Sequence, residues 1–165
     1  MSLNVRRILT SEAEAYQLLR MEGLIRHPDC FRIAPEDEAA LPLADIVKKI
    51  EAGYVLGGFQ DDVLVGIAGL SAFPGAKAGH KALLWGMYVR EEARGHGLAD
   101  QLMDKILQEA KRRGFQQVQL TVIASNPRAF KVYERWGFEL YATELKSVKV
   151  GDAYFDEQLR VRWLT

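Results

Sequence analysis

The chain has 165 residues, of which 48% are hydrophobic, and this size suits a single globular domain, residues 1–165, with a proper core. Its 22 basic and 22 acidic residues give a net charge of zero, which does not favour a surface for nucleic acid or for an anionic membrane. A single cysteine, Cys30, excludes a disulfide framework and a thiol cluster for a metal, and no apolar run is long enough to span a bilayer.

The N-terminal segment predicts one strand and one helix. Its first ten residues, "MSLNVRRILT", lack the apolar centre of a signal peptide, so we expect a cytoplasmic protein. Within them "VRRIL" is typical of a short strand. Thr10 or Ser11 can cap a helix with three apolar residues on one face, Ala15, Leu18 and Leu19. The stretch from Glu22 to Pro42 contains three prolines and little periodicity, so we predict an irregular segment there.

The middle of the chain predicts a helix followed by three strands. The helix covers Leu43 to Glu51 and ends at Gly53. Two strands follow in "YVLGGFQDDVLVGIAGLSAF" and form a hairpin at the turn residues Asp61-Asp62. After the loop "PGAKAGH", the segment "KALLWGMYV" is nearly continuously apolar, as expected of a strand that is covered on both faces.

The last part predicts two helices and three strands. Apolar residues recur at every fourth position of a helix that ends near Gly114, namely Leu98, Leu102, Ile106 and Ala110. A strand, "FQQVQLTVIA", comes next. Asn126 caps a second helix with Pro127 at its first position, and Gly137 ends this helix. Two final strands, "FELYATEL" and "AYFDEQLRVRWL", flank a polar turn.

The segment "ARGHGLA" lies between a strand and a helix and suggests a phosphate site. The first amides of a helix lack internal partners, and glycines allow an anion to approach the backbone. The alternative is a turn in which Gly95 and Gly97 only satisfy the backbone geometry. A P-loop is excluded because Leu98-Ala99 stand where lysine and serine or threonine are needed. A dinucleotide fingerprint is excluded because Asp100 replaces the third small residue and the following strand ends without an acid.

Two motifs resemble those of the Gcn5-related N-acetyltransferase (GNAT) family. Arg94-x-x-Gly97-x-Ala99, after the strand that ends in Val89, resembles the acyl-CoA motif of this family. The segment "NPRAFKVYERWGF" is similar to its second signature, in which Asn-x-x-Ala-x-x-x-Tyr leads into Gly-Phe. The resemblance covers residues 55–163. It implies an α/β (α+β) fold with a mixed, mostly antiparallel sheet of about seven strands flanked by about four helices.

The resemblance implies an N-acetyltransferase that moves an acetyl group from acetyl-CoA to an amine of a small molecule or a protein by direct attack. The alternative is a non-catalytic acyl-CoA-binding or sensor module on the same fold. Acetyl-CoA or coenzyme A is the implied co-substrate, and an amine is the implied second partner. The oligomeric state is left open, with a homodimer among the options, and neither the amine nor the preferred acyl chain can be read from the sequence.

In this family the pyrophosphate of coenzyme A lies on the amides of the glycine turn, here Arg94, Gly95, His96, Gly97, Leu98 and Ala99. The pantetheine arm pairs with the preceding strand, here Met87, Tyr88 and Val89. Asn126 and Ala129 of the second signature complete the implied cofactor site. Tyr133 is the implied general acid, which protonates the departing thiolate; its alternative role is packing beside Phe130.

The general base is not identified. Relatives often place an acid or a histidine on the strand before the turn, but residues 82–89 contain none, and Tyr88 could act only through water. His80, just before the strand, is either the base or a solvated loop residue, and no role is assigned to His27. Glu36-Asp37-Glu38 either attract a cationic acceptor or form a solvated face. The acceptor pocket is expected from two variable segments, Gly23 to Pro42 and Lys146 to Asp152.

Overall fold

A computed structural model describes residues 1–164; Thr165 lies outside the described residues. Within this range the strands are β1 (Leu3–Arg7), β2 (Tyr54–Gln60), β3 (Val63–Ala72), β4 (Lys81–Val89), β5 (Gln117–Ile123), β6 (Glu139–Val150) and β7 (Ala153–Trp163). The helices are α1 (Ala13–Arg26), α2 (Pro35–Ala39), α3 (Leu43–Ala52), α4 (Leu98–Arg112) and α5 (Pro127–Arg135). None of these helices is both long and apolar enough to cross a membrane.

The strands form one sheet in the order β1-β2-β3-β4-β5-β7-β6. Each neighbouring pair is antiparallel except β4 and β5, which run parallel. This arrangement confirms the predicted mixed, mostly antiparallel sheet of seven strands. The described residues contain five helices rather than about four, because the short α2 forms within the stretch that the sequence predicts to be irregular.

The sheet opens between β4 and β5. Their pairing is limited to the first three residues of each strand, from Lys81 opposite Gln117 to Leu83 opposite Gln119. Further along, β4 carries a β-bulge against β3, and Gly86 has a left-handed φ of 64° that suits glycine. The bulge bends β4, so the two strands separate over the rest of their length.

The two faces of the sheet carry separate apolar cores. The predicted stripe of α4 is buried on one face, together with Met103 and Leu107. Helices α1 and α3 cover the other face, where Tyr16, Leu19, Ile46 and Ile50 pack against Ile67 and Tyr88. Since successive strand residues point to opposite faces, Ile67 belongs to this core and Ala68 to the other.

The predicted apolar face of the first helix is wrong for two of its three residues. Leu19 is buried, but Ala15 is exposed and Leu18 is 65% exposed. The buried face instead consists of Ala13, Tyr16, Leu19, Arg20, Gly23 and Leu24. Helix α1 extends to Arg26, into the stretch predicted to be irregular, and this longer contact with the sheet sets which side faces inward.

Candidate active site

A cavity of about 700 Å³ lies where β4 leaves β5. Its walls come from the end of β4, the turn before α4, the first turn of α4 and one side of α5. Eleven of the twelve site residues predicted from the sequence line it: Met87, Tyr88, Val89, Arg94, Gly95, Gly97, Leu98, Ala99, Asn126, Ala129 and Tyr133. The twelfth, His96, is exposed and is not among the lining residues.

The glycine turn forms one end of this cavity, which we call the large cavity. Gly95 and Gly97 both have a left-handed φ of 83°, and a Cβ on either would meet no other atom within 4 Å. The glycines are therefore required by the backbone conformation rather than by a close protein neighbour. Gly97 is the N-cap of α4, so the first amides of that helix face the cavity end without side-chain capping.

Two side chains hold the turn in place. The Nε of Arg94 donates a hydrogen bond to the carbonyl of Val89 at 2.9 Å, which joins the turn to the end of β4. The carboxylate of Asp100 accepts hydrogen bonds of 2.6 Å from the Nη2 of Arg135 and the Nε1 of Trp136. Burial alone would raise the pKa of Asp100, but these hydrogen bonds lower it. Asp100 thus links the start of α4 to the end of α5.

A second cavity of about 330 Å³, the small cavity, lies between the separated parts of β4 and β5. The two cavities share six lining residues: Cys30, Phe31, Met87, Asn126, Ala129 and Tyr133. They therefore meet beside α5. Cys30 and Phe31 come from the segment expected to build the acceptor pocket, whereas Lys146 to Asp152 does not line either cavity.

Tyr133 stands where the two cavities meet. Its side chain is only 9% exposed, and its ring packs edge-on against Phe138 with 6.0 Å between centroids. Burial raises the pKa of Tyr133 to about 12, above the ordinary phenol value of about 10. The helix that carries it begins at Asn126, whose Oδ1 accepts a hydrogen bond from the amide of Ala129 at 3.3 Å, as the predicted cap requires.

The side chain of Tyr88 is held by Glu22 of α1. Its hydroxyl donates a hydrogen bond to Glu22 at 3.2 Å, and the Nε of Arg90 binds the same carboxylate oxygen at 3.1 Å. Burial and the negative charge of Glu22 raise the pKa of Tyr88 to about 12. A Cβ on Gly23 would stand 3.1 Å from the Tyr88 ring, so this glycine lets α1 pack closely over it.

The other candidates from the sequence do not gather at the cavities. His80 is exposed and lines neither cavity. Glu36, Asp37 and Glu38 do not line them either, so the hypothesis that they attract a cationic acceptor loses its structural basis. Glu38 is not solvated but buried, because α2 places it against Arg20 of α1, with 2.9 Å between Nε and Oε1.

Several charged or titratable residues at the cavities were not assigned to the site from the sequence, among them Arg20, Arg32 and Arg128. His27 lines the large cavity, and Glu157 of β7 lines the small one and is only 2% exposed. A sequence signal for Glu157 existed, since alternate residues of this strand, Phe155, Leu159 and Val161, are apolar. An acid in that row faces the interior. Among residues 1–164 no cluster of three or more His, Cys, Asp or Glu could hold a metal ion.

Comparison with known proteins identifies the family of this chain and solved structures that share its fold. Residues 13–138 match the model of the family described as "Acetyltransferase (GNAT) family". A mycothiol acetyltransferase from Brachybacterium faecium is 26% identical over 140 residues. That match covers 82% of this chain but only 40% of the relative, so the chain spans well under half of the relative's length.

Solved structures share the fold at low sequence identity. A putative acetyltransferase from Salmonella typhimurium, solved with its cofactor acetyl-CoA, has a TM-score of 0.87 at 15% identity, covering 100% of this chain and 95% of that one. A phosphinothricin acetyltransferase from Sinorhizobium meliloti, in complex with acetyl-CoA, has a TM-score of 0.83 at 19% identity, covering 99% and 89%.

Proposed function

Because the chain belongs to the acetyltransferase (GNAT) family, we propose that it transfers an acetyl group from acetyl-CoA to an amine by direct attack. The observation that carries this proposal is the meeting of two cavities at Tyr133, inside a gap in the sheet. One cavity ends at a glycine turn suited to phosphate, and the other offers separate access to the same point. A two-substrate transfer requires this arrangement, whereas a module that only binds acyl-CoA does not require the small cavity.

Coenzyme A would bind in the large cavity with its pyrophosphate at the glycine turn and its pantetheine arm pointing to Tyr133. Its pyrophosphate would lie on the free amides between Gly95 and Ala99, where the dipole of α4 adds positive potential. The exposed site residue His96 would contribute through its backbone amide. Arg128 also lines this cavity and adds a positive charge for the phosphate groups.

The pantetheine arm would run along β4 towards the gap. The pairing of β4 with β5 ends at Leu83, so the backbone of Met87, Tyr88 and Val89 does not pair with β5; the carbonyl of Val89 accepts the hydrogen bond from Arg94. An extended arm with amide groups can hydrogen-bond to such an unpaired edge like an additional strand. This path leads the thioester from the turn to Tyr133, past Asn126 and Ala129, which line both cavities.

In the proposed reaction the amine nitrogen forms a bond to the thioester carbon, and the carbon–sulfur bond breaks. Tyr133 donates its phenolic proton to the departing sulfur. With a pKa of about 12, this phenol is protonated at neutral pH and available as a donor. The pKa of a free thiol is about 8.5, so transfer of the phenolic proton to a fully formed thiolate would be unfavourable in free energy. We therefore expect donation to accompany bond cleavage, with the proton lost by the amine restoring the phenol.

Release of free thiol from acetyl-CoA, measured across amino acids, polyamines, aminoglycosides and N-terminal peptides, tests the proposed function. The expected result is amine-dependent thiol release with at least one acceptor. If the folded protein binds coenzyme A but releases thiol with none of them, the binding-module alternative replaces the enzyme.

Assembly and location are further proposals. We propose a homodimer, supported by the exposed apolar side chains of the edge strand β6, Leu140, Tyr141 and Leu145. Sedimentation equilibrium tests it, because a mass of one chain at high protein concentration would contradict it. A cytoplasmic location is a prediction from the sequence alone, and fractionation of the source cells tests it.

A further inference from the structure

The small cavity has a charge pattern that the proposed function does not explain. Its lining within residues 1–164 includes one acid, Glu157, and two cations, Arg20 and Arg32. Most of the other lining residues are apolar, among them Phe31, Leu84 and Trp85. A volume of about 330 Å³ is at the lower end of the range of about 300–1,000 Å³ that is typical of sites for small molecules.

Resting on the proposed acetyl transfer, we propose that the small cavity binds an apolar amino acid and that Glu157 accepts the proton of its ammonium group. The apolar side chain would lie against the apolar wall, and the carboxylate would face the two arginines. The ammonium group, the carboxylate and the apolar side chain of the acceptor would thus contact Glu157, the two arginines and the apolar wall, respectively.

The position of Glu157 suits a group that binds an ammonium ion. Strand β7 pairs with β5, and Glu157 lies opposite Ile123, at the part of β5 that has separated from β4. Its Oε1 accepts a short hydrogen bond from the Oγ of Ser147, which fixes the carboxylate. Two other charged groups face it: Arg32, with 3.6 Å between Nε and Oε1, and Glu144, which lies opposite Glu157 on β6 and shares the Ser147 hydroxyl with it. Arg32 is 61% exposed, so an incoming ammonium ion can displace this weak surface contact.

The two arginines suit a carboxylate. Arg20 is 9% exposed, and the atoms that join it to Glu38, Nε and Oε1, approach to 2.9 Å without hydrogen-bond alignment. Its Nη1 lies beside Gly86, 2.9 Å from where a Cβ would stand, so a side chain there would contact this group. The lining offers two guanidinium groups and one carboxylate; Glu38 balances the charge of Arg20 from outside the lining, so this set of donors, rather than a net charge, favours an acceptor that has an anionic group and disfavours a polyamine.

In the proposed reaction Glu157 accepts a proton first, and Tyr133 then donates one. Glu157 takes one proton from the ammonium group, and the freed lone pair forms the carbon–nitrogen bond while the carbon–sulfur bond breaks. Tyr133 protonates the sulfur, and the second proton that the nitrogen loses restores the phenol. The proton on Glu157 then leaves to solvent. The products are the N-acetyl amino acid, coenzyme A and one proton for each turnover.

The acceptor class is tested with three pairs of compounds that differ only in the carboxylate. Leucine, methionine and phenylalanine are compared with 3-methylbutylamine, 3-(methylthio)propylamine and 2-phenylethylamine, and putrescine is added as a dication. We expect kcat/KM at least tenfold higher for the amino acid in at least one pair, and the lowest value for putrescine. Equal or better use of the amine in every pair, or acetylation of peptides alone, overturns the acceptor class while leaving the proposed transfer intact.

The role of Glu157 is tested with Glu157→Gln, which keeps the shape of the side chain. At pH 7 we expect kcat to fall by roughly 100-fold while the dissociation constant of coenzyme A changes less than about threefold. The rate of the variant should rise about tenfold for each pH unit below the pKa of the acceptor amine, because only free amine from solution reacts. The rate of the wild type should rise less steeply with pH. Glu139→Gln is the matched control, since Glu139 is an exposed acid of the neighbouring strand β6 and lies outside the cavity.

Glu157→Asp covers the case in which the glutamine variant does not fold. The shorter acid should keep the wild-type shape of the pH profile at a reduced rate. A glutamine variant with kcat and pH profile like those of the wild type overturns the proton-accepting role. So does an aspartate variant that shows the steep profile expected of Glu157→Gln. If the wild type acetylates no amine at all, the proposed function fails, which is a separate outcome.

Discussion

At the residue scale, the proposed chemistry depends on how deeply Tyr133 is buried. Its ring packs against Phe138 inside the core cluster that also contains α4, so the hydroxyl has little access to solvent. The resulting pKa of about 12 makes the phenol a donor that stays protonated, and the chemistry must supply the base from elsewhere. In the proposed reaction Tyr133 is the proton donor and Glu157 is the proton acceptor. The two residues lie on different elements but line the same small cavity.

Replacement of Tyr133 by phenylalanine should separate catalysis from binding. Tyr133→Phe keeps the ring that packs against Phe138 and removes only the proton donor. We expect kcat to fall by roughly 100-fold and the dissociation constant of coenzyme A to change by no more than a few-fold. Stopped-time thiol assays and calorimetry measure the two quantities. Undiminished kcat in this variant would remove the general-acid role.

The raised pKa of Tyr133 predicts the alkaline side of the pH profile. A phenol is protonated below its pKa, so a value of about 12 keeps the donor intact well above neutrality. The wild-type rate at saturating acceptor should therefore not decline between about pH 8 and pH 10, after subtraction of the hydrolysis that a Tyr133→Phe sample shows. A decline with an apparent pKa near 9 in that range would contradict a buried phenol as the donor.

At the element scale, the site exists because two local features coincide. The bulge in β4 at Gly86 and Met87 separates this strand from β5, and the left-handed turn before α4 directs free amides to one end of the opening. A Cβ on Gly95 or Gly97 would meet no other residue within 4 Å, but the left-handed φ of both makes a side chain there strained. A substitution in the turn should therefore strain the backbone without a clash, and its larger effect should be on the proposed phosphate site.

A β-branched residue at Gly97 tests the glycine turn. Gly97→Val forces a side chain into a left-handed conformation, which should cost about 1–3 kcal/mol of folding free energy, and places it in the phosphate path. We expect the protein to fold but to lose detectable binding of coenzyme A in calorimetry.

The matched control for Gly97→Val is Gly114→Val at the other end of α4. Gly114 has a φ of 79°, also without a neighbour within 4 Å, and it does not line either cavity. Its variant should show similar destabilisation and normal binding. Equal loss of binding in both variants would assign the effect to helix destabilisation instead.

Elements with a strong local pattern could be predicted from the sequence, and elements fixed by tertiary contacts could not. The stripe of α4, the hairpin at Asp61-Asp62 and the cap at Asn126 each follow from neighbouring residues, and the structure contains them. Helix α2 begins with a proline and three acidic residues, which are local signals of a helix start, but its five residues are too few for an apolar stripe, and the contact of Glu38 with Arg20 holds it against α1. The alternation in β7 indicates that Glu157 faces the interior, but its place at the gap could not be predicted, since only the pairing of β7 with β5 brings it there.

At the scale of the whole molecule, one buried ion pair links the segment that borders the cavities to the rest of the fold. Arg20 and Glu38 are both buried, and they connect α1 to α2 on the face opposite α4. Removal of one partner of a buried pair leaves an uncompensated charge in the interior. The segment from His27 to Ile33, which lines both cavities, lies between these two helices and depends on this link.

Glu38→Gln should destabilise the fold by about 3–5 kcal/mol, because it leaves the Arg20 guanidinium buried without its counter-ion. Glu12→Gln is the control, since Glu12 pairs with Arg6 at 2.8 Å in a more exposed position and should contribute less than about 1 kcal/mol. Urea denaturation followed by circular dichroism measures both. A Glu38 variant no less stable than the Glu12 variant would contradict the structural role of the pair.

The measurement that tests the central claim most directly is the transfer of a labelled acetyl group. The protein is incubated with acetyl-CoA that carries an isotopic label in the acetyl group and with the best acceptor amine, and mass spectrometry follows the amine. We predict that wild-type protein forms the labelled N-acetyl product in equal amount to the coenzyme A released, and that Tyr133→Phe forms it roughly 100-fold more slowly. Release of coenzyme A with free labelled acetate, or binding without any labelled product, would contradict direct transfer at the junction of the two cavities.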